Sequence, residues 1–424
     1  MRKSIIIVFL LLCIAVQAEE YFWKDETLWK QSKKHSIEFM EKYAWDEESG
    51  SYASEILFDG TKKSEIRHLI ALSRMIYGLS NSLEISPSYL VKAQKSANFL
   101  IKKMMRQDAI GPYFLSSVYP DGSTNADPDL LIVNEQAYGF CGLVALYEKT
   151  KEPYLLHTIR VAYRAFYKRF HDSQYGGFFD AFSLSTSKPI EKKSYNSTVY
   201  VATSFLFALS QSDVEYKKEY ESTLLELGEI ILQHFLDQDT GWIIENFDRQ
   251  WKADWRDWQK QGEYTIGVVG HNFQAAWLLL RIYKLFQKKP GMERYAKGGV
   301  YILESMLKRN AVDNTNGGFF DVLKRETSEN MWHTNKAWWQ QAEGILALTL
   351  AEKLGLLKTQ HAKQARNMAV HFYFRYFVDR NGGGEFSVVE KNGNPIPNEM
   401  KAHKGKSTYH TVEMAEYMLA YIKP

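Results

Sequence analysis

Apolar residues recur along this chain at i, i+3, i+4 and i+7 in paired segments that hold almost no proline, which is the periodicity of packed α-helices. The more apolar segments are 66–80, 133–149, 195–210, 266–286, 335–354 and 407–422. Helices apolar nearly all round are buried on every side, as in an inner ring. Their partners, such as 88–105, 154–170 and 216–236, carry charge along one face, as an outer ring would.

Before each inner segment stands one short motif, a glycine turn followed by aromatic or apolar residues. It reads Gly50-Ser-Tyr-Ala, Gly111-Pro-Tyr-Phe, Gly176-Gly-Phe-Phe-Asp, Gly241-Trp-Ile-Ile, Gly317-Gly-Phe-Phe-Asp and Gly382-Gly-Gly-Glu-Phe. Glycine supplies a φ > 0 turn and the aromatic pair a half-buried extended stretch, so small β-hairpins are predicted at one rim. Six repeats of about 65 residues predict an all-α fold, an (α/α)6 barrel of six helical hairpins. An open solenoid obeys the same repeat logic, but solenoids end in polar capping units. Here the last segment, from Tyr409, is as apolar as the middle ones. The longest interval contains residues 248–267, rich in Trp, Asp and Lys, as a candidate lid.

The first residues read differently. Arg2 and Lys3 precede the apolar run from Ile5 to Val16, and Val16-Gln-Ala18 offers a cleavage site. The run is shorter than the roughly 20 residues of a membrane span. Residues 1–18 are therefore expected to be a secretory signal peptide, leaving 19–424 as a single catalytic barrel domain, exported to the periplasm or medium as a monomer or homodimer. Lys+Arg 53 against Asp+Glu 50, with no basic run, leaves no footprint for nucleic acid or an anionic membrane. After removal of the leader only Cys141 remains, so no intrachain disulfide is possible.

The rim ends of six inner helices converge on one cavity, so polar residues there are the candidates. His271 follows Gly270 at the head of one apolar helix, and His410 opens the last helix beside Tyr409. Two histidines aimed into one lumen can serve as base and acid on opposite faces of a bound carbon. Eight tryptophans fall between 240 and 340, including Trp258 and Trp332. Of these, Trp338 and Trp339 are the candidate plates for a sugar ring, with Glu343 four residues beyond Trp339 on the same face. No His-Glu-x-x-His, cysteine pair or acidic calcium loop suggests a protein-held metal, and no P-loop, dinucleotide fingerprint or Gly-x-Ser-x-Gly elbow suggests a cofactor or serine chemistry.

Several stretches resemble the N-acylglucosamine 2-epimerases, together with cellobiose 2-epimerases and mannose or sulfoquinovose isomerases. The resemblance rests on Gly270-His-Asn-Phe-Gln-Ala-Ala-Trp-Leu-Leu, Lys336-Ala-Trp-Trp-Gln-Gln-Ala-Glu-Gly and Tyr409-His410, and more loosely on Arg67-His-Leu-Ile-Ala-Leu-Ser-Arg and Asn134-Glu-Gln-Ala-Tyr-Gly. It implies the (α/α)6 barrel and 2-epimerisation or aldose–ketose isomerisation through an enediolate, without a cofactor. The family's paired acid/base histidines fall on His271 and His410. Its sugar contacts fall on Arg67, Asn196, Trp338, Trp339 and Glu343. A glutamate common three residues after the first histidine is Gln274 here, which implies weaker support for His271, and a further histidine is replaced in the Ser197-Thr198 region.

The expected partner is thus a free mono- or disaccharide. A glycoside hydrolase on the same toroid, using carboxylates such as Glu343 and Glu135, and a catalytically silent sugar-binding protein are the alternatives.

Overall fold

The structure, a computed structural model, describes residues 22–124, 128–255, 260–261, 264–329 and 335–423. The leader expected at 1–18 lies outside them, as do Trp258 and Trp332.

Among the described residues, twelve helices alternate between an outer and an inner ring. The outer helices are α1 (Glu26–Tyr43), α3 (Ser88–Phe99), α5 (Pro153–Phe170), α7 (Lys217–Ile230), α9 (Glu293–Lys308) and α11 (Gln360–Phe372). The inner ones are α2 (Leu69–Ser80), α4 (Val133–Thr150), α6 (Phe207–Ser212), α8 (Val269–Phe286), α10 (Trp338–Lys353) and α12 (Tyr409–Ile422). α6 is preceded by two π-helical turns, Asn196–Tyr200 and Ala202–Leu206, so the third inner helix is wound widely at its rim end.

Inner helices are sequestered on all sides: in α10 every residue from Gln340 to Ala351 is buried. Each such Leu, Ile or Phe contributes roughly 1.5–3 kcal/mol by leaving water. Close approach depends on small residues, since a Cβ on Gly142 would lie 2.4 Å from the Ser73 carbonyl of α2.

Each of the six glycine turns contains a glycine of positive φ, including +73° and +70° at Gly176 and Gly177 and +86° and +75° at Gly317 and Gly318. Each closes a small antiparallel hairpin or bridge, for example His171 with Phe178 and Val312 with Phe319. The residues just before an inner helix are not helical, as the apolar period suggests, but extended. Arg67–His68 pairs with Ser117–Val118, Leu130–Ile132 with Ala181–Ser183, Lys192–Ser194 with Asn246–Asp248, Tyr264–Val268 with Val322–Lys324, and Lys336–Ala337 with Val388–Val389. Each partner lies in the next repeat. Backbone groups at the rim are satisfied between neighbours rather than by lengthening the helix.

The sixth such contact closes the ring. Ala402, just ahead of α12, bridges to Ile56 of the first repeat. Thr408 Oγ1 donates to the Arg74 carbonyl of α2 at 3.1 Å, and the buried Lys33 of α1 reaches both the Asn81 carbonyl after α2 (2.6 Å) and Glu416 of α12 (2.5 Å). The fold is a closed (α/α)6 barrel, not an open solenoid. Trp251 of the candidate lid is packed away, stacked on His234 at 5.3 Å and buried. No helix among the described residues is long and apolar enough to cross a membrane.

Candidate active site

The rim pairing determines where inner helices begin. In four of them the first free amide is taken by a carbonyl of the neighbouring hairpin: Leu69 N to Ser116 O (2.9 Å), Val133 N to Asp180 O (2.9 Å), Val269 N to Asp321 O (3.0 Å) and Trp338 N to Ser387 O (3.1 Å). These bonds satisfy donors that a helix start leaves open, and they present the first-turn side chains of the barrel at fixed positions.

His271, in the first turn of α8, is held on three sides. Its Nδ1 lies 3.0 Å from Glu245 Oε2, its ring stacks on Tyr195 at 4.0 Å between centroids, and its Nε2 is 3.4 Å from the Tyr200 hydroxyl. A carboxylate at Nδ1 fixes the tautomer with the proton there and leaves the Nε2 lone pair available as a base. Tyr195 and Tyr200 are five residues apart, positions that diverge on an α-helix. The i→i+5 turn between them returns Tyr200 toward the side of Tyr195.

His410, in the first turn of α12, is buried. Its Nδ1 is 3.2 Å from Glu343 Oε1, but that atom makes no aligned hydrogen bond. Burial, followed by the nearby charges of Arg74 and Lys406, pushes its pKa well below the usual imidazole range, so the ring is neutral at pH 7. Glu343, fully buried, is raised well above the ordinary carboxylate range by burial and then by the charge of Glu413.

Gln274 joins the two halves. Its Oε1 accepts from the Tyr195 hydroxyl at 2.5 Å and its Nε2 donates to Glu343 Oε1 at 3.0 Å. The carboxylate beside His271 Nδ1 is Glu245, and Gln274 instead links Tyr195 to Glu343. Trp339 neighbours both imidazoles, its indole 5.3 Å from the His271 ring and 6.2 Å from the His410 ring between centroids. Trp338 packs edge-on to His410 at 6.0 Å, with Lys406 Nζ 5.2 Å above it.

Two expected contacts are not brought into this group. Arg67 is part of the rim strand, and its guanidinium is spent on Asp46 (2.7 Å), Ser51 (2.9 Å) and the Glu65 carbonyl (2.6 Å). The arginine at the site is Arg74, seven residues on, lying 4.2 Å over Tyr138 and 5.2 Å from the ring of Tyr409. Asn196 is exposed beside Tyr195. Glu135 accepts a hydrogen bond from Ser116 at the rim.

Glu343, His410 and Glu413 place three potential metal-ligand atoms within 4.8 Å of one another, a cluster that sequence spacing does not reveal. Gln274 already donates to Glu343 and Tyr409 to Glu413 (2.8 Å). Arg74 and Arg281 add positive charge beside the carboxylates. The cluster is better suited to sharing protons than to a further cation.

The sequence reading missed Tyr195, Tyr200, Glu245 and Arg74. Glu245 had a signal: it stands four residues after Gly241, as Asp180 does after Gly176 and Asp321 after Gly317. An acidic residue at that offset lies next to the start of an inner helix.

Solved structures of the same fold are carbohydrate enzymes. A cellobiose 2-epimerase from Spirochaeta thermophila superposes with a TM-score of 0.80 at 20% identity, covering 93% of this chain and 96% of its own. A D-mannose isomerase gives 0.81 at 19% identity, covering 94% and 98%. An α-1,6-mannanase from Salegentibacter gives 0.61 at 12% identity, covering 92% and 99%. The sequence profile of the N-acylglucosamine 2-epimerases matches residues 54–414, and the chain belongs to that family of carbohydrate isomerases.

Proposed function

We propose that this protein is a sugar 2-epimerase or aldose–ketose isomerase acting on a free mono- or disaccharide of the mannose, glucose, N-acylglucosamine or cellobiose type. The observation that carries the reading is the pair of imidazoles, His410 buried and His271 partly exposed, set against one indole, each with Nδ1 toward a glutamate. An opened sugar laid on Trp339 would have its C2 between the two rings.

One neutral imidazole removes the C2 proton through Nε2, and the electron pair moves onto C1–C2 to give an enediolate. For the epimer, His410 gives its Nε2 proton to the opposite face of C2 as its Nδ1 takes the proton held by the Glu343 carboxyl; for the ketose, the protonated His271 returns its proton to C1 while the O2 proton passes to O1. Arg74, adjacent to His410, is placed to stabilise the developing oxyanion. The leader expected at 1–18 would bring the enzyme to sugars outside the cytoplasm.

A hydrolase is the weaker reading. The mannanase of this fold is inactive when two consecutive aspartates are replaced, and this chain has no Asp-Asp dipeptide. Incubation with mannose, glucose, N-acetylglucosamine, N-acetylmannosamine and cellobiose, followed by chromatography, tests the proposal. A new epimer or ketose from at least one is expected. Release of reducing ends from a glycan with no isomer would favour the hydrolase, and binding with no product a silent sugar-binding protein.

A further inference from the structure

The barrel has a concave region at the end away from the histidines. It is a cavity of about 450 Å³ between the C-terminal halves of α2, α4, α6, α8 and α12, within the range of small-molecule sites, roughly 300–1,000 Å³. Arg281, which lines it, is ten residues beyond His271 on α8, about 15 Å further along the helix axis. Tyr409 and Glu413 form the wall toward the histidines.

Arg281 is built in an unusual way for a structural arginine. Its guanidinium lies 4.1 Å over Phe207, 4.6 Å over Trp277 and 5.2 Å from the ring of Tyr417, and Nη1 is shut off from solvent without a hydrogen-bond partner. Aromatic faces hold the plane of the fork and the Tyr417 hydroxyl pairs with it, but Nη1 is left unmade, and a buried donor left unmade is costly. A carboxylate is the group whose geometry matches such a fork. The nearest competing acids are weakened: burial lifts Glu413 to about 7 and raises Glu148 above the ordinary carboxylate range.

The remaining lining is of a different character. Tyr77 and Tyr421 offer flat apolar plates, while Asn81, Thr203 and Gln211 offer hydrogen-bonding groups around them. Plates with a surrounding set of polar groups suit a hydroxylated ring, which a bare inorganic anion would leave unused.

We propose that this cavity is a second ligand site, separate from the histidine site, that takes a monosaccharide acid, with the carboxylate on Arg281 and the sugar ring between the tyrosines. The inference does not depend on the isomerase reading, since it concerns the opposite end of the barrel from the histidines.

Titration calorimetry on the full chain with glucuronate, glucose and acetate tests it. Glucuronate is expected to bind saturably and at least ten-fold more tightly than either glucose or acetate. Binding should persist in His271→Ala and His410→Ala and fall at least ten-fold in Arg281→Met. The absence of saturable glucuronate binding overturns the proposal. So does acetate binding as tightly as glucuronate, retention of affinity in Arg281→Met, or loss in the histidine variants. Should Arg281→Met not fold by circular dichroism, Asn81→Ala decides instead: several-fold weaker glucuronate binding is expected, and unchanged affinity overturns the assignment.

Discussion

Glu245 Oε2 lies 3.0 Å from the Nδ1 of His271, on a carboxylate that is itself buried. Both come from the fourth repeat, the glutamate from its rim hairpin and the histidine from the head of α8. It defines which nitrogen of His271 faces the lumen. Glu245→Ala is expected to lower kcat about 10²-fold, within the range of a mispositioned general base, with little change in KM. Steady-state kinetics beside a far-UV circular dichroism spectrum checks this, and an unchanged kcat would remove Glu245 from the mechanism.

Arg67 and Arg74 are expected to separate stability from activity. Arg67→Met leaves Asp46 without its buried partner and should cost about 3–5 kcal/mol, read as a lower urea midpoint, while the folded enzyme keeps its KM within about two-fold. Arg74→Met should lower kcat/KM by about 10²-fold, an oxyanion contact's usual share, at a smaller cost in stability. The reverse pattern would restore Arg67 to the site.

Much of this arrangement is legible in the sequence. The glycine turns locate the six rim hairpins, and the all-round apolar segments locate the inner helices, so the convergence of His271 and His410 follows from the ring once it is closed. Arg67 is expected at the site from the family resemblance, whereas Arg67 and His68 pair with the next repeat as strand. Being in the strand turns the Arg67 side chain toward Asp46. Tyr200 is missed because a 3.6-residue period does not place it with Tyr195; only the wide turn does. Glu413 is one turn below His410, yet its approach to Glu343 needs the packing of α10 on α12, which no local pattern encodes.

Stability should depend on pH through the buried Glu343–Glu413 pair and through His410. A carboxyl raised from 4.5 to about 7 in Glu413 means that the folded state binds more protons than the unfolded state. Its contribution is fully present below about pH 4.5 and is lost as pH rises to about 7. His410 acts in the opposite sense: its lowered pKa makes folding less favourable as pH falls below 6.5. Urea unfolding at pH 5, 6, 7 and 8 checks this. Glu413→Gln should flatten the loss between pH 5 and 7, and an identical slope in the variant would show that the pair is not the source.

Trp339→Ala should raise KM about ten-fold with a smaller change in kcat, because a stacked plate holds the sugar in both ground and transition states. Trp338→Ala should act less on KM and more on stability, since Trp338 is buried and packed on His410 and Lys406. Equal KM values for wild type and Trp339→Ala would place the sugar elsewhere.

Proton exchange at the sugar's C2 is the most direct test of the paired imidazoles. In deuterated water, with the substrate found active, proton NMR is expected to show the C2 signal of substrate and product replaced by deuterium with the wild-type enzyme. His271→Ala and His410→Ala should each slow this by at least 10³-fold while melting close to wild type. Product formation with no deuterium at C2 or C1, or near-wild-type exchange in either variant, would contradict proton transfer by these two histidines.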